Sequence, residues 1–584
     1  MTTVFTFPNT NTVDEQTETE KLQQLEEMTV HVSETQEKLL AEILRRNAMT
    51  EYLKAHKMNG ATGSKTFKQQ VPMVTYEDLK PYINRIADGD RSAILTGVPI
   101  SELHISTGTS SGENKLIPFN DEMARCRLLF FSFVMPVFNK NVASVAKGKA
   151  LYFLFVKGET KTAGGIKTIG GMTSFLKSEY SRLQSSKFSS PFSSNTGPTA
   201  AILCPDTFQS MYAQMLCGLY HRLDVLRLGS IFASVVVRAI RFLQLHWHEL
   251  AHDIATGTLN HAIVTDPSVR ESISCVMTRP KPDLARFITE QCSSGEWAGI
   301  IRKIWPNTRF IDAIVTGSMS QYINMLEYYG DGLPLASTLY VSSECCMGIN
   351  LRPLAPPSEV SYLLLPNVAY FEFLPVGDEQ GLVDMAHVEL GKEYELVITN
   401  FAGLYRYRLG DVLRVAGFYK KAPLFQFARR SGAVLSVDVE KTDEAMLQRA
   451  VDRAAYEAMP ESGTGIAEFA GSVDTGTVPG HYVVYVELMA KRGVAAEVMG
   501  VFCRVMEKAL MTENWYYKEG REASCSIGPL EIRVVRCGTF EKMAERAIAR
   551  GAAIGQYKVP RCIKLKSDLE MLDSMVVASH FSSS

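Results

Sequence analysis

A chain of 584 residues is too long for one hydrophobic core to organise, because single cores stop growing near roughly 250–300 residues and longer chains divide. At least two folded units are therefore expected, one of them large. The apolar share of 46% and charged share of 21% suit ordinary globular interiors and exclude collagen-like, coiled-coil or disordered chains. A formal net charge of -2 offers no broad attraction to nucleic acid or to an anionic membrane, so small-molecule chemistry is the favoured class. The eleven cysteines are odd in number and scattered without a C-x-x-C pair, which points to reduced thiols. The N-terminal stretch has no basic segment followed by an apolar one, and charges break every apolar run before membrane length. A cytoplasmic protein is expected, with a monomer favoured.

The pattern along the chain divides it further. Residues 1–20 are Thr- and Glu-rich and read as a mobile arm. Leu22, Leu25, Met28, Val32, Leu39, Leu40 and Ile43 then recur at helical spacing. Strand-like and helical stretches alternate through LHIS, ALYFLFV and VVVRAIRFLQL. Residues 185–199 form a Ser, Pro and Gly cluster expected to be a surface loop. A dense run of short strands follows (FIDAIVTG, LASTLYVSS, YFEFLPV, YELVITN, VLRVAGF), suggesting mixed sheets and a barrel-like part. Arg429, Arg430 and Gly432 mark a hinge, after which strands and helices alternate in a smaller α+β layer. The expected division is an α/β domain over 21–426 and a mobile C-terminal domain over 427–584, with the active site in the cleft between them.

Three polar constellations follow strand-like runs. The first runs from Ser106 through Thr107, Gly108, Thr109 and Ser110 to Lys115. Hydroxyls and exposed N–H groups in a glycine turn can wrap phosphate oxygens, although this is not a Walker loop, and the bland alternative is an ordinary polar turn. The second is Tyr340-Val341-Ser342-Ser343-Glu344, with a ring that can stack on a base, hydroxyls for phosphate, and a carboxylate suited to a hard cation such as Mg2+. The third ends YRYRLGD at Asp411, a carboxylate able to take both hydroxyls of a ribose. Its bland alternative is a strand end closed by an Arg–Asp pair.

In this order the three resemble the signature of the Gretchen Hagen family of plant acyl acid amido synthetases, a branch of the adenylate-forming enzymes. VPMVTYEDLKPYINRIADGDRS, ILCPDTFQSMYAQMLCGL, IWPNTRFIDAIVTGSM, ITNFAGLYRYRLGD, SIGPLEIRVVRCGTF and GQYKVPRC extend the likeness over most of the chain. The resemblance implies that ATP adenylates a small carboxylic acid and that an amino acid then takes the acyl group. It also implies roles: the 106–110 loop for the α-phosphate, Thr316, Gly317 and Ser318 with Tyr340 beside the adenine, and Asp411 for the ribose. Glu344 would face Mg2+, and Lys441 and Lys558 would be the lysines of the mobile domain. Attack of a carboxylate on a phosphate joins two anions, so positioning and positive charge are what such a site must supply.

The acyl pocket departs from the branch that conjugates indole-3-acetic acid. Positions matching Asn114, Phe131, Gly171, Met172, Leu339, Val341 and Cys346 usually hold Arg, Tyr, Val, Leu, Met, Ala and Tyr there. Losing the Arg removes a bidentate anion partner, and the other exchanges reshape the wall. An auxin, jasmonate or benzoate class of acid is expected. Two competing readings remain. His248-Glu249-Leu250-Ala251-His252 spells H-E-x-x-H, with Glu271 as a further ligand for zinc hydrolysis; a polar helix face enriched in histidine is the plain alternative. The altered pocket also suits a binder of nucleotide or acid without catalysis.

Overall fold

The computed structural model describes residues 17–110, 113–142, 148–156, 158–183, 194–376, 381–430, 435–459, 465–488, 495–549, 559–563 and 565–582. The arm expected at the start, most of the 185–199 loop and Lys558 lie largely or wholly outside them. The chain resolves into two compact units, one comprising Met1–Ser106 with Leu116–Ser431 and the other Thr107–Lys115 with Gly432–Ser584. Mixed α/β architecture is present in both, as the alternating pattern implies.

The N-terminal helices form where the periodicity places them. Thr17 and Glu20 close a capping box at the start of the helix Glu18–Val30, and Val32–Arg46 follows with Leu39, Leu40 and Ile43 buried. VVVRAIRFLQL is part of one long helix, Ala233–Thr256, ended by Gly257 in the left-handed conformation.

Three sheets carry the chemistry-bearing segments. One is wholly parallel, in the order Lys149–Tyr152, Val225–Phe232, Phe310–Ile314, Leu335–Ala336. Gly229 is the close-approach point in it: a Cβ there would fall 2.1 Å from the Asp312 carbonyl oxygen. A second, four-stranded sheet includes Glu102–Ser110 and Glu113–Phe119 as neighbours. Residues 108–110 and 113–115 of the polar GTSSGENK segment are thus strand.

The run of short strands divides between two sheets: FIDAIVTG and the start of LASTLYVSS lie in the parallel sheet, while the rest enters an eight-stranded antiparallel sheet with Val383–Asp384 at one edge and Leu339–Val341 at the other. YRYRLGD enters it along Tyr407–Tyr419. Tyr405 and Tyr407 are buried, while the intervening Arg406 guanidinium takes Glu372 in two bonds of 3.0 Å.

The second unit is a four-stranded sheet in the order Ile466–Asp474, His481–Leu488, Glu531–Val535, Val576–Phe581. Alternation along His481–Leu488 feeds both faces: Tyr482, Val484 and Val486 join a core with Phe502 and Leu510 of the helix Ala496–Glu513, and Val483 and Tyr485 join one with Phe540 and Leu572. Such a strand reads as a near-continuous apolar run because neither face meets water.

Candidate functional site

Tyr340 lies in an edge strand of the large sheet, and Asp411 in a strand well inside it. The Tyr340 hydroxyl nevertheless donates to Asp411 Oδ2 at 2.7 Å, and both residues are buried. Two of the three constellations therefore meet directly, although 71 residues of chain separate them. The arginines of the motif are engaged elsewhere, Arg406 with Glu372 and Arg408 with Glu395 at 2.9 and 2.6 Å.

The turn at Thr316 and Gly317 joins this pair through aromatic rings. Thr316 Oγ1 is 3.1 Å from the Tyr362 hydroxyl, and the Tyr362 ring lies 5.6 Å from that of Tyr340. Phe427 flanks Tyr340 with ring centroids 6.4 Å apart. Gly317 has φ of +64°, and a Cβ there would stand 3.2 Å from Phe427. A planar group laid against Tyr340 would meet ring faces and a glycine backbone, and a diol beyond it would meet a carboxylate. Tyr362 and Phe427 carry no motif of their own. Their roles come from strand pairing, for Tyr362 is in register with Phe425 on the strand that also bears Phe427.

Glu344 is buried in the bend after Leu339–Val341. Its N–H donates to Ser342 Oγ at 3.3 Å, and its carbonyl accepts from Asn400 Nδ2 at 3.0 Å. Asn400 Oδ1 in turn accepts from the N–H groups of Ala402 and Leu404, folding the loop that leads into YRYRLGD. Asn400 was hidden within the matching ITNFAGLYRYRLGD stretch, because only the fold shows that its amide ties two motifs together. A carboxylate beside the hydroxyls of Ser342 and half-buried Ser343 is a hard-oxygen set, the kind Mg2+ takes.

Ser106 is buried at the mouth of the first constellation. The side chains of Thr107, Thr109, Ser110, Asn114 and Ser318 lie outside the described residues, as do those parts of the site that depend on them. Lys441 is half-buried, in a short hairpin closed by the Leu435–Thr442 bridge.

Of the positions expected to line the acyl pocket, those whose side chains are described lie on two helices and two strands. Phe131, on the helix Asp121–Asn141, stacks on Phe175 with centroids 4.3 Å apart. Gly171 and Met172 begin the helix that bears Phe175, and a Cβ at Gly171 would come 3.4 Å from His104 Nδ1. Val341 and Cys346 stand opposite one another in an antiparallel pair. Burial pushes the Cys346 thiol up to about 12, which keeps it protonated. Phe131 and Leu339 border one cavity.

The zinc reading gains no support from the geometry of the described residues. His248 and His252 are exposed on the long helix, and the His248 ring stacks on Trp247. Among the described residues the single cluster of three potential ligands is Asp474, His481 and Glu531, so the histidine pair gathers no third ligand. Even that cluster is filled by the Arg533 guanidinium, 2.8 Å from Asp474 and 2.7 Å from Glu531.

Comparisons with known proteins agree along the whole chain. Residues 21–335 match the GH3 family N-terminal domain, 362–430 the GH3 family central domain and 445–567 the GH3 family C-terminal domain. Indole-3-acetic acid-amido synthetase GH3.8 of Oryza sativa subsp. indica is 54% identical over 575 residues, covering 96% of this chain and 93% of that protein. Indole-3-acetic acid-amido synthetase GH3.3 of Arabidopsis thaliana is 53% identical, covering 96% and 94%. A solved structure of the AtGH3.15 acyl acid amido synthetase in complex with 2,4-DB superposes with a TM-score of 0.68 at 42% identity, over 97% of this chain and 98% of that one.

Proposed function

Because the chain belongs to the GH3 family of acyl acid amido synthetases, we propose that it uses ATP to adenylate a small plant carboxylic acid and passes the acyl group to an amino acid. It is a ligase of the carbon–nitrogen-forming kind, and an amide conjugate and AMP are its products. The observation that carries the reading is the 2.7 Å bond from Tyr340 to Asp411, with Thr316 and Gly317 drawn in through Tyr362 and Phe427. That grouping supplies ring faces for a base and a buried carboxylate for a ribose.

In this reading Tyr340 and the 316–318 turn border the adenine and Asp411 accepts the ribose hydroxyls. The 106–110 hydroxyls and N–H groups hold the α-phosphate. Glu344, with Ser342 and Ser343, would hold Mg2+, which neutralises phosphate charge when bound. Lys441 and Lys558 add positive charge where the acid's carboxylate meets the phosphate, two anions that otherwise repel. No covalent enzyme intermediate is required. Phe131, Gly171, Met172, Leu339, Val341 and Cys346, with Asn114, shape the acid's pocket. The acid belongs to the auxin, jasmonate or benzoate class, with the departures from the auxin branch setting which.

Near-balanced charge, eleven free cysteines and the lack, among the described residues, of a helix long and apolar enough to cross a membrane support a cytoplasmic enzyme. The test is incubation with ATP, Mg2+, a panel of plant acids and the common amino acids, read by product mass and by acid-dependent exchange of labelled pyrophosphate into ATP. Conjugates and exchange are expected. Silence across the panel with measurable acid binding would replace the ligase by a non-catalytic binder.

A further inference from the structure

A cavity of about 20 Å³ lies in the first unit, with Phe131 and Leu339 on its apolar side and Tyr152, Arg227, Asp312 and Thr338 on its polar side. The parallel sheet builds the polar side. Tyr152 is in register with Gly229, and Gly229 with Asp312, so the missing side chain at the middle strand lets the outer two approach. Arg227 sits two residues before Gly229 on that middle strand and is 4% exposed. Among the described residues its guanidinium finds a thioether, Met135 Sδ at 4.0 Å, as its hydrogen-bond-range partner. A thioether is a weak acceptor for a group with several N–H donors.

Asp312 faces the same space and feels the Arg227 charge without forming a direct ion pair among the described contacts. Burial raises its carboxyl to about 6 against the opposing pull of Arg227, and Thr338 Oγ1 donates to it at 3.4 Å. A buried guanidinium and a buried carboxylate across a gap call for something polar between them, since unpaired buried charge is costly. The gap exceeds the roughly 10–15 Å³ that one water-sized group needs. A hydroxyl is a one-heavy-atom substituent that both accepts from arginine and donates to carboxylate.

We propose that this cavity is the distal end of the acyl site and reads a hydroxyl on the acid at the end remote from its carboxylate, making hydroxylated ring acids the preferred substrate class. The inference rests on the proposed function for the ligand being an acyl acid, since Phe131 and Leu339 belong to the expected pocket wall. A net-neutral Arg227–Asp312 pair also explains why the substituent is a neutral hydroxyl, because a second anion would be repelled by Asp312 as much as drawn by Arg227.

The test compares acids in pairs that differ only by a terminal hydroxyl, with calorimetric binding and pyrophosphate exchange measured on the full chain. Wild-type protein is expected to bind the hydroxylated member at least about 10-fold more tightly. Thr338→Val and Tyr152→Phe, each confirmed as folded by its melting temperature, are expected to pull that ratio toward one, whatever they do to the absolute rates. Equal or weaker binding of the hydroxylated member by the wild type, or a ratio unchanged in both variants, overturns the proposal. Tighter hydroxy-acid binding without exchange from any acid leaves the cavity's selectivity standing and rejects the ligase.

Discussion

The Asp411 carboxylate accepts a hydrogen bond from a phenol. The Tyr340 hydroxyl is a charge-assisted donor to a buried carboxylate, a bond that contributes about 1.5–3 kcal/mol when lost. Tyr340→Phe keeps the ring and removes that bond, so the KM for ATP in the exchange assay should rise by about 10-fold while the fold persists. Asp411→Ala should weaken ATP use further, and Lys558→Ala should mainly lower the adenylation rate; equal wild-type rates in both would sink the site assignment. Gly317→Ala pairs a positive φ with a close approach to Phe427. Left-handed backbone costs a non-glycine residue about 1 kcal/mol, so a small fall in melting temperature and a larger fall in ATP affinity are expected. These residues were singled out by the resemblance of their motif order to a known family, since each motif alone reads equally well as a polar turn or a strand end. Asn400 and Tyr362 were not, since a buried amide or phenol acquires its role only from partners dozens of residues away.

The hairpin bearing Lys441 is held from within by Glu440, a fully buried carboxyl. It accepts from the N–H groups of Val437 and Asp438 and meets the Tyr482 hydroxyl at 2.9 Å. Burial outweighs those bonds and raises its pKa to about 8 from an ordinary 4.5. Between those values the unfolded chain has released a proton that the folded chain retains. Stability of the second unit should therefore fall as pH rises from about 4.5 to about 8 and level off beyond, a change on the order of a few kcal/mol. Glu440→Gln should flatten that slope in urea melts at stepped pH; an unaltered slope would assign it to other groups. The helix Glu444–Ala458 that follows was plain from its spacing, and Asp443 caps it as such residues do. The hairpin itself was not, because isolated bridges leave no periodic trace.

Two separately filled interiors answer the length of the chain. The second unit's sheet is covered on both faces, and Val484 at its centre is wholly buried. Val484→Ala should destabilise that unit by about 1–3 kcal/mol through a cavity. Hydrogen exchange should show faster opening along Ile466–Asp474 and Glu531–Val535, with Glu393–Thr399 of the first unit keeping its protection. Loss of protection in all three would mean that the units unfold as one. Strand and helix content was readable from alternation, but strand order was not. The eight-stranded sheet joins segments out of sequence, and no local pattern specifies which edge receives Leu339–Val341.

The facing pair Val341 and Cys346 carries a consequence for how such pockets diverge. Directly opposed side chains share one volume: Val and Cys fill it here, where the resemblance leads one to expect a small Ala against a large Tyr in the auxin branch. Enlarging one partner alone overfills the wall and shrinking one alone leaves a void, so a change of acid should pass through double exchanges, and descendants of one ancestor should differ at both positions or at neither.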